Sequence, residues 1–408
     1  MALLHLPLDD ITEAHLAALI ENGARESLYI DYKRQTYGRD DAAKKEFLAD
    51  VSSFANAAGG DIVIGIEEGT GGNKGIPVAI KPFTDNADDE RLRLEQMARD
   101  GIEPRISGLR VHIVPTSKYS VFVIRVPKSY NPPHRVKLGG SNRFYARSSG
   151  GKYEPNVEEL RNLFLAAPHL HERIRAFRME RIARIAANET PVPLSPERPR
   201  RFVLHIVPYS AFNPTPVVSF ADISARAAHG FHPPACSGID ITDRVNFDGR
   251  IAFLSDQCAY TQLFRSGIVE YVFAAADVEL TFATTLGDNR ELLTNAAFVE
   301  QLCADRAQGY TGILNGCGIA PPYVILASLI GMDGARFVHP PQSFVLQDYP
   351  TDRDQYHFIE SVFETLPKNQ NEAIVALAPT LDQMASLVRL DKSHLVENAK
   401  RALSANHP

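Results

Sequence analysis

Apolar positions in the first 170 residues follow two alternating periods, and each period marks an element. Ile11, Leu16, Leu19 and Ile20 fall on one side of a short amphipathic helix over 10–21, capped by Asp9 or Asp10 and closed by Gly23. From 28 to 33 the period drops to two. Leu28, Ile30 and Tyr32 point one way and Tyr29, Asp31 and Lys33 the other, which predicts a half-buried strand with a charge-bearing face. Helical spacing returns over 41–57 through Phe47, Leu48, Val51, Phe54 and Ala55, and Gly59-Gly60 breaks it. The β-branched run 61–66 then predicts a buried strand. A polar helix near 86–100, extended segments at 109–114, 121–126 and 142–147, and a helix over 156–166 begun by Asn156 complete this region.

Residues 170–187 pattern as a further helix in which Arg175, Arg178, Arg181 and Arg184 recur every third position. It is either an additional phosphate contact or an amphipathic connector. Four prolines and few apolar residues make 188–201 the best linker in the chain, so the domain boundary is set inside it. Strand-like runs at 202–207, 245–254, 260–264, 269–274 and 323–329, with helices around 291–305, 353–365 and 370–388, predict a second mixed domain. The fold class is α+β: a sheet domain over 1–168, a basic helix and Pro-rich linker over 169–201, and a C-terminal α+β domain over 202–408. The second domain shows no repeat of the first.

Composition fits two or three soluble domains, with 408 residues of which 44% are apolar and 23% charged. No stretch approaches the roughly 18 apolar residues of a membrane span, and the first residues lack a basic region ahead of an apolar core, so a cytoplasmic protein is expected. Cys236, Cys258, Cys303 and Cys317 form no CxxC pair, which argues against structural zinc or a disulfide framework. The net charge of −6 is uneven: residues 1–168 hold 22 Lys/Arg against 23 Asp/Glu, and residues 202–408 hold 13 against 22. Within the first domain, residues 105–152 carry ten Lys or Arg and no acid, where about six carboxylates would be expected from 49 in 408. Cations clustered in this way are the footprint of a phosphate-binding face, the alternative being a solvated basic surface.

From this segment, Arg125, Lys128, Arg135, Lys137, Arg143, Tyr145 and Arg147 are the candidate nucleic-acid contacts. Arg143, Tyr145 and Arg147 alternate on one predicted strand face, offering two phosphate contacts and a ring for base stacking, unless this is an ordinary edge strand. The Gly-rich stretch 65–75 lacks the order of a phosphate-binding P-loop and reads as a turn. His5, His134, His205 and His339 lack metal-ligand spacing.

Two ordered blocks, ESLYIDYK at 26–33 and FANAAGGDIVIGIEE at 54–68, resemble the Schlafen AlbA_2 domain. RVPKSYNPPHRV at 125–136 and RFYARSSG at 143–150 resemble its later segments. The resemblance covers about residues 1–168 and implies a mixed sheet with flanking helices that binds RNA or DNA. Some Schlafen proteins are endoribonucleases that cut tRNA or rRNA with three carboxylates and a divalent metal. The carboxylates map onto Glu26, Asp31 and Glu68 or Glu67, which would hold Mg²⁺ or Mn²⁺. Asp31 stands where the family usually has Glu, and Glu67-Glu68 where it commonly has Asp, so ligand oxygens move by about one methylene in a site that tolerates little error.

Carboxylate-held Mg²⁺ or Mn²⁺ would activate a nucleophile and stabilise the leaving oxygen. Asp31 and Glu68 can converge if their strands are neighbours. Glu26, five residues before Asp31, must lie in the preceding turn or past a bulge to join them. Lys33 shares the face of Asp31 and could contact the scissile phosphate or pair with a carboxylate. Taken without the resemblance, Glu26 and Asp31 read rather as surface salt-bridge partners of Lys33, Arg25 or Arg34. Asn56, Gly59 and Gly60 read as a helix stop, the alternative being room for a nucleotide backbone.

Two functions follow as expectations: a metal-dependent endoribonuclease of bacterial anti-phage defence or stress, with RNA favoured over DNA, or a non-catalytic DNA-binding regulator. Animal Schlafen cores contain two such lobes and this chain one, so a homodimer is implied, with the acidic C-terminal domain as a possible protein-partner surface.

Overall fold

The computed structural model describes residues 3, 6–81, 86–116, 120–212, 231–233, 240–275, 296–338 and 348–405. The chain divides into two compact units, Met1–His171 and Glu172–Pro408.

In the first unit, α1 (Glu13–Glu21) is capped by Thr12 rather than Asp9 or Asp10, because Thr12 and the His15 imidazole close a reciprocal box at the helix start. The chain continues through β1 (Ile30–Lys33), α2 (Asp41–Ala55), β2 (Gly60–Ile64), β3 (Ile66–Glu68) and β4 (Pro77–Ile80). It then forms α3 (Ala87–Gly101), β5 (Ile102–Glu103), β6 (Arg110–Pro115), β7 (Ser120–Val126), β8 (Arg135–Leu138) and β9 (Ser141–Phe144), and ends in the hairpin β10 (Ala146–Ser148) and β11 (Gly151–Tyr153). The central sheet runs β1-β2-β7-β6, with β1 parallel to β2 and the other pairs antiparallel, which is the mixed sheet expected.

The period-two pattern sorts side chains between two layers. Ile30, Tyr32, Val63 and Val123 pack with Leu16 and Leu19 of α1. Ile62, Ile64, Phe122 and Ile124 pack with Phe47, Val51 and Phe54 of α2. Asp31 is in register with Ile62, so its carboxylate shares the α2 face of the sheet.

The FANAAGG block acts structurally. Gly59 adopts φ +74°, and a β-carbon there would meet the Lys128 backbone nitrogen at 2.5 Å. At Gly60 a β-carbon would lie 2.4 Å from the Phe54 ring. Asn56 is buried and clamps two distant segments: its amide donates to the carbonyls of His134 (2.9 Å) and Tyr145 (2.8 Å) and accepts from the His134 N–H (2.7 Å). The extended segment expected over 142–147 breaks at Tyr145. β9 belongs to a sheet with β5 and β8, while β10 pairs only with β11.

In the second unit, an antiparallel sheet has the order Ile241–Val245, Gly249–Leu254, Ala259–Phe264, Val269–Ala275, Arg200–Pro208, Tyr323–Ile330 and Tyr356–His357, and Ser361–Phe363 also pairs with Tyr323–Ile330. One helix, α4 (Val157–Ala186), replaces the two expected, running through Pro168 and through the division between the units. The stretch 188–201 is no free linker, because Val192 and Leu194 are buried against Val203, Ile251 and Tyr260. Arg178 and Arg181, considered as phosphate contacts, are buried: Arg178 donates to the Phe358 carbonyl at 3.0 Å, and Arg181 makes a bidentate pair with Glu270 at 2.8 Å. The helix expected over 353–365 is replaced by two short strands, since their backbones complete the sheet edge at Tyr323–Ile330. The helix expected over 291–305 is described from Ala296 to Gly316. Cys258 and Cys303 are buried and Cys317 is half-buried, and Cys236 lies outside the described residues. Among the described residues no helix is long and apolar enough to cross a membrane.

Asn56→Ala deletes three hydrogen bonds and leaves a buried N–H unpaired, so the first unit should lose about 2–3 kcal/mol. Hydrogen exchange of the β2 and β7 amides measures this, and unchanged protection would refute the clamp.

Candidate functional site

β1 is an edge strand, so N–H groups on its outer side need partners from elsewhere. The turn before it provides one. The Ser27 N–H donates to the Ile30 carbonyl at 3.0 Å, and the chain folds back so that Glu26 Oε1 accepts from the Tyr32 N–H at 2.9 Å. Glu26 therefore lies in the preceding turn, as its spacing from Asp31 requires. Gly75 then links Glu26 to Glu68: its carbonyl accepts from the Glu26 N–H at 2.7 Å, and its own N–H donates to Glu68 Oε2 at 3.1 Å. Glu67 faces away from this group, pairing with Arg34 at 3.1 Å and Lys81 at 3.7 Å.

Asp31 is 5% exposed. Its Oδ1 lies 3.1 Å from Arg147 Nη2, and its Oδ2 lies 2.9 Å from Lys33 Nζ. Oδ2 is buried, with that ammonium in ion-pair contact. Arg147, 6% exposed, also donates to the Ser27 carbonyl at 3.3 Å, and its guanidinium lies 4.2 Å from the centre of the Phe54 ring. The two sequence blocks thus meet through one arginine.

These groups line a cleft of about 500 Å³. Its five cations are Arg25, Lys33, Lys74, Arg147 and Lys152, set against the carboxyls of Glu26, Asp31, Glu46, Asp50 and Glu68. Desolvation, the hydrogen bond to Asp31 and the charges of Asp31 and Glu68 push the Glu26 carboxyl up to about 8. Burial alone would raise Asp31 as well, but the Glu26 hydrogen bond and the charges of Lys33 and Arg147 outweigh it and hold Asp31 below the usual range. The pair therefore shares one proton at neutral pH. Lys33 is held charged against its burial by Asp50 and Asp31.

The three expected metal ligands are brought to one cleft, yet each has an oxygen engaged by the protein. Among the described residues no group of three or more His, Cys, Asp or Glu side chains is arranged to hold a metal ion. Asp31 has the Lys33 ammonium against one oxygen and the Arg147 guanidinium against the other. The residues as folded do not make a preformed Mg²⁺ or Mn²⁺ cage.

The candidate nucleic-acid contacts do not form the single basic wall expected. Arg125 is committed to the interior, bidentate to buried Asp61 at 2.9 and 3.0 Å and bonded to the carbonyls of Leu6 and Leu3. Arg147 is equally committed to Asp31. Arg135 and Lys137 pair with Glu103 at 2.6 and 3.8 Å, Arg143 pairs with Glu154, and Arg110 pairs with Asp9 at 2.7 Å. Lys128 is exposed, with its ammonium 6.0 Å from the Tyr130 ring centre, and Lys118 lies outside the described residues. Tyr145 is half-buried where β9 gives way to β10, so Arg143, Tyr145 and Arg147 do not share a strand face. The carboxylates come from outside 105–152 in sequence but beside it in space. Exposed pairs of this kind are weak, because solvent and salt screen them.

Asp50 and Lys152 were absent from the site predicted from sequence. Asp50 lies in α2 three residues after Phe47 and four before Phe54, and a charge on that apolar stripe was the available signal.

A mixed sheet with a buried carboxylate and cation cluster at its edge strand defines the class of domain. Residues 26–156 match the Schlafen AlbA_2 family model. A search of curated proteins gives no match. Among solved structures, the N-terminal domain of an ATP-dependent DNA helicase RecG-related protein from Nitrosomonas europaea is similar at 20% identity, over 34% of this chain and 92% of that one, with a TM-score of 0.26. A protein from Corynebacterium diphtheriae is similar at 17% identity over 38% of this chain, which spans 32% of that one, with a TM-score of 0.27. The AlbA_2 domain points to a nucleic-acid-related role.

Because the Glu26 carboxyl moves from 4.5 to about 8 on folding, its contribution to stability is full below 4.5 and is lost as pH rises through the folded value. Asp31 runs the other way, contributing above its ordinary range and losing that contribution only in strong acid. The urea midpoint of the first unit should therefore fall from acid toward mildly alkaline pH, and Glu26→Gln should flatten the decline. Equal slopes in the two proteins would exclude the shared proton.

Proposed function

We propose that the AlbA_2 domain binds nucleic acid, RNA in preference to DNA, and cleaves its phosphodiester backbone at the Glu26–Asp31–Glu68 cleft. The observation that carries this reading is the burial of the Glu26 and Asp31 carboxyls together beside Lys33, with Glu26 held above the usual carboxylate range. An acid that keeps its proton near neutral pH can donate it to a departing oxygen, and such a step contributes about 10²–10⁴-fold in rate. Lys33 offsets the charge that develops on the phosphate. Glu68 has one oxygen without a backbone partner and is the group available to accept the proton of the attacking hydroxyl. Asp31 and Arg147 position Glu26 and Lys33. Mg²⁺ or Mn²⁺ enters this reading only as an addition that would displace the shared proton, so the assay includes both conditions.

Incubated with tRNA, with and without Mn²⁺, the full chain should release fragments, and Glu26→Ala should slow their formation by about 10²–10⁴-fold. RNA that stays intact under every condition rejects cleavage. A second reading, non-catalytic DNA binding, is favoured by the engagement of one oxygen each of Glu26 and Glu68 with a backbone N–H. It requires tighter binding to duplex DNA than to structured RNA in a salt-titrated mobility shift.

A host role in anti-phage defence or stress, a cytoplasmic site of action, a homodimer and a protein partner at the acidic second unit extend this proposal. Light scattering tests the dimer, and a monomer at micromolar concentration counts against it.

A further inference from the structure

Two of the cleft's cations share an anchor that the proposed chemistry does not use. Asp50, 1% exposed, lies with Oδ1 2.7 Å from Lys152 Nζ and Oδ2 3.8 Å from Lys33 Nζ. The Tyr37 hydroxyl donates to the same Oδ2 at 2.8 Å, fixing the carboxylate from within the core. The cations come from separate elements, Lys33 from β1 and Lys152 from β11, and the hairpin register sets Lys152 opposite Arg147. Their side chains keep 26% and 30% of their exposure while that of Asp50 keeps 2%. The ammonium groups are therefore open to the cleft, while the carboxylate that holds them lies nearly buried in its wall.

An ammonium group has three donors, so each lysine can hold an anchor and still bind an anion. Lys44 and Lys137 pair instead with the exposed acids Asp41 and Glu103, and the exposed Glu46 lies 4.0 Å from Lys152 beyond its contact with Asp50. Lys33 and Lys152 are ordered in advance, which removes part of the entropic cost of binding. A phosphodiester carries one charge on two non-bridging oxygens, a match for two cations fixed in one cleft.

We infer that Lys33 and Lys152 form a two-point clamp for a backbone phosphate, with Asp50 as its positioning residue. This deepens the proposed nucleic-acid reading and rests on it. The phosphate can belong to RNA or DNA, because the clamp touches neither base nor ribose hydroxyl.

Fluorescence anisotropy of fluorescein-labelled oligouridylate and oligothymidylate against increasing salt tests it on the full chain. Lys152→Ala should make the slope of log affinity against log salt shallower by about 0.7 on both strands. Lys152→Arg should keep the wild-type slope. Asp50→Asn, equal in shape but uncharged, should weaken binding several-fold because the ammonium groups lose their anchor. Should Asp50→Asn fail to fold, the two Lys152 variants decide the matter alone, since that side chain is partly exposed. An unchanged slope in Lys152→Ala overturns the clamp while leaving nucleic-acid binding intact. Tighter binding by Asp50→Asn overturns the positioning role, since Asp50 would then only compete with phosphate. Absence of wild-type binding to either strand at low salt overturns the underlying reading and the clamp with it.

Discussion

The buried pair between Asp31 and Arg147 is the constraint around which the first unit is arranged. Removing one member of such a pair strands the other in the interior at a cost of about 3–5 kcal/mol, whereas an exposed pair is worth about 0–1 kcal/mol. Much of the local architecture exists to keep Arg147 in place. Phe54 lies against its guanidinium, Gly60 leaves room for Phe54, Asn56 ties down the chain at Tyr145, and the Ser27 carbonyl takes a further N–H. With Asp31 held in its charged form, Glu26 becomes the partner that keeps the proton. The acid–base character of the cleft follows from a packing decision made beneath it.

Sequence periodicity revealed most of this frame because burial on one face imposes it. Ile30, Tyr32 and the α2 stripe of Phe47, Val51 and Phe54 alternate as their layers require, so β1, α2 and β2 were legible within a few residues. Glu26 was placed by an inconsistency: five residues from Asp31 cannot share a strand face, and the turn resolves it. Tyr145 was misread because a tertiary contact interrupts the strand there. Asn56 draws the Tyr145 carbonyl away from any ladder, and no local pattern encodes that pull. In the second unit, the proline-rich 188–201 looked like solvent-exposed chain although Val192 and Leu194 reach the core, since a few apolar side chains suffice to dock a segment.

Charge was harder to read than hydrophobicity because its partners are non-local. The segment 105–152 has no acid of its own, yet Asp9, Asp31, Asp50, Asp61, Glu103 and Glu154 supply carboxylates to it from both sides in sequence. Arg125 and Arg147 read identically to Lys137 in a one-dimensional count. In the fold the first two are interior struts and the third is a surface group.

The same distinction bears on how this domain can attract a polyanion at all. A first unit with nearly equal numbers of acids and bases generates little long-range field, and the Debye length of about 8 Å at physiological salt would screen what there is. Affinity must then come from short-range placement rather than from bulk attraction. The cleft meets that requirement in part because two of its five carboxylates are paired in place, Asp31 by Arg147 and Lys33 and Asp50 by Lys152, with the Tyr37 hydroxyl donating a further hydrogen bond to Asp50. A phosphate entering it meets ammonium groups whose counter-charges are buried behind them. Elsewhere on the domain Arg135 and Arg143 have counter-charges, Glu103 and Glu154, that lie exposed beside them.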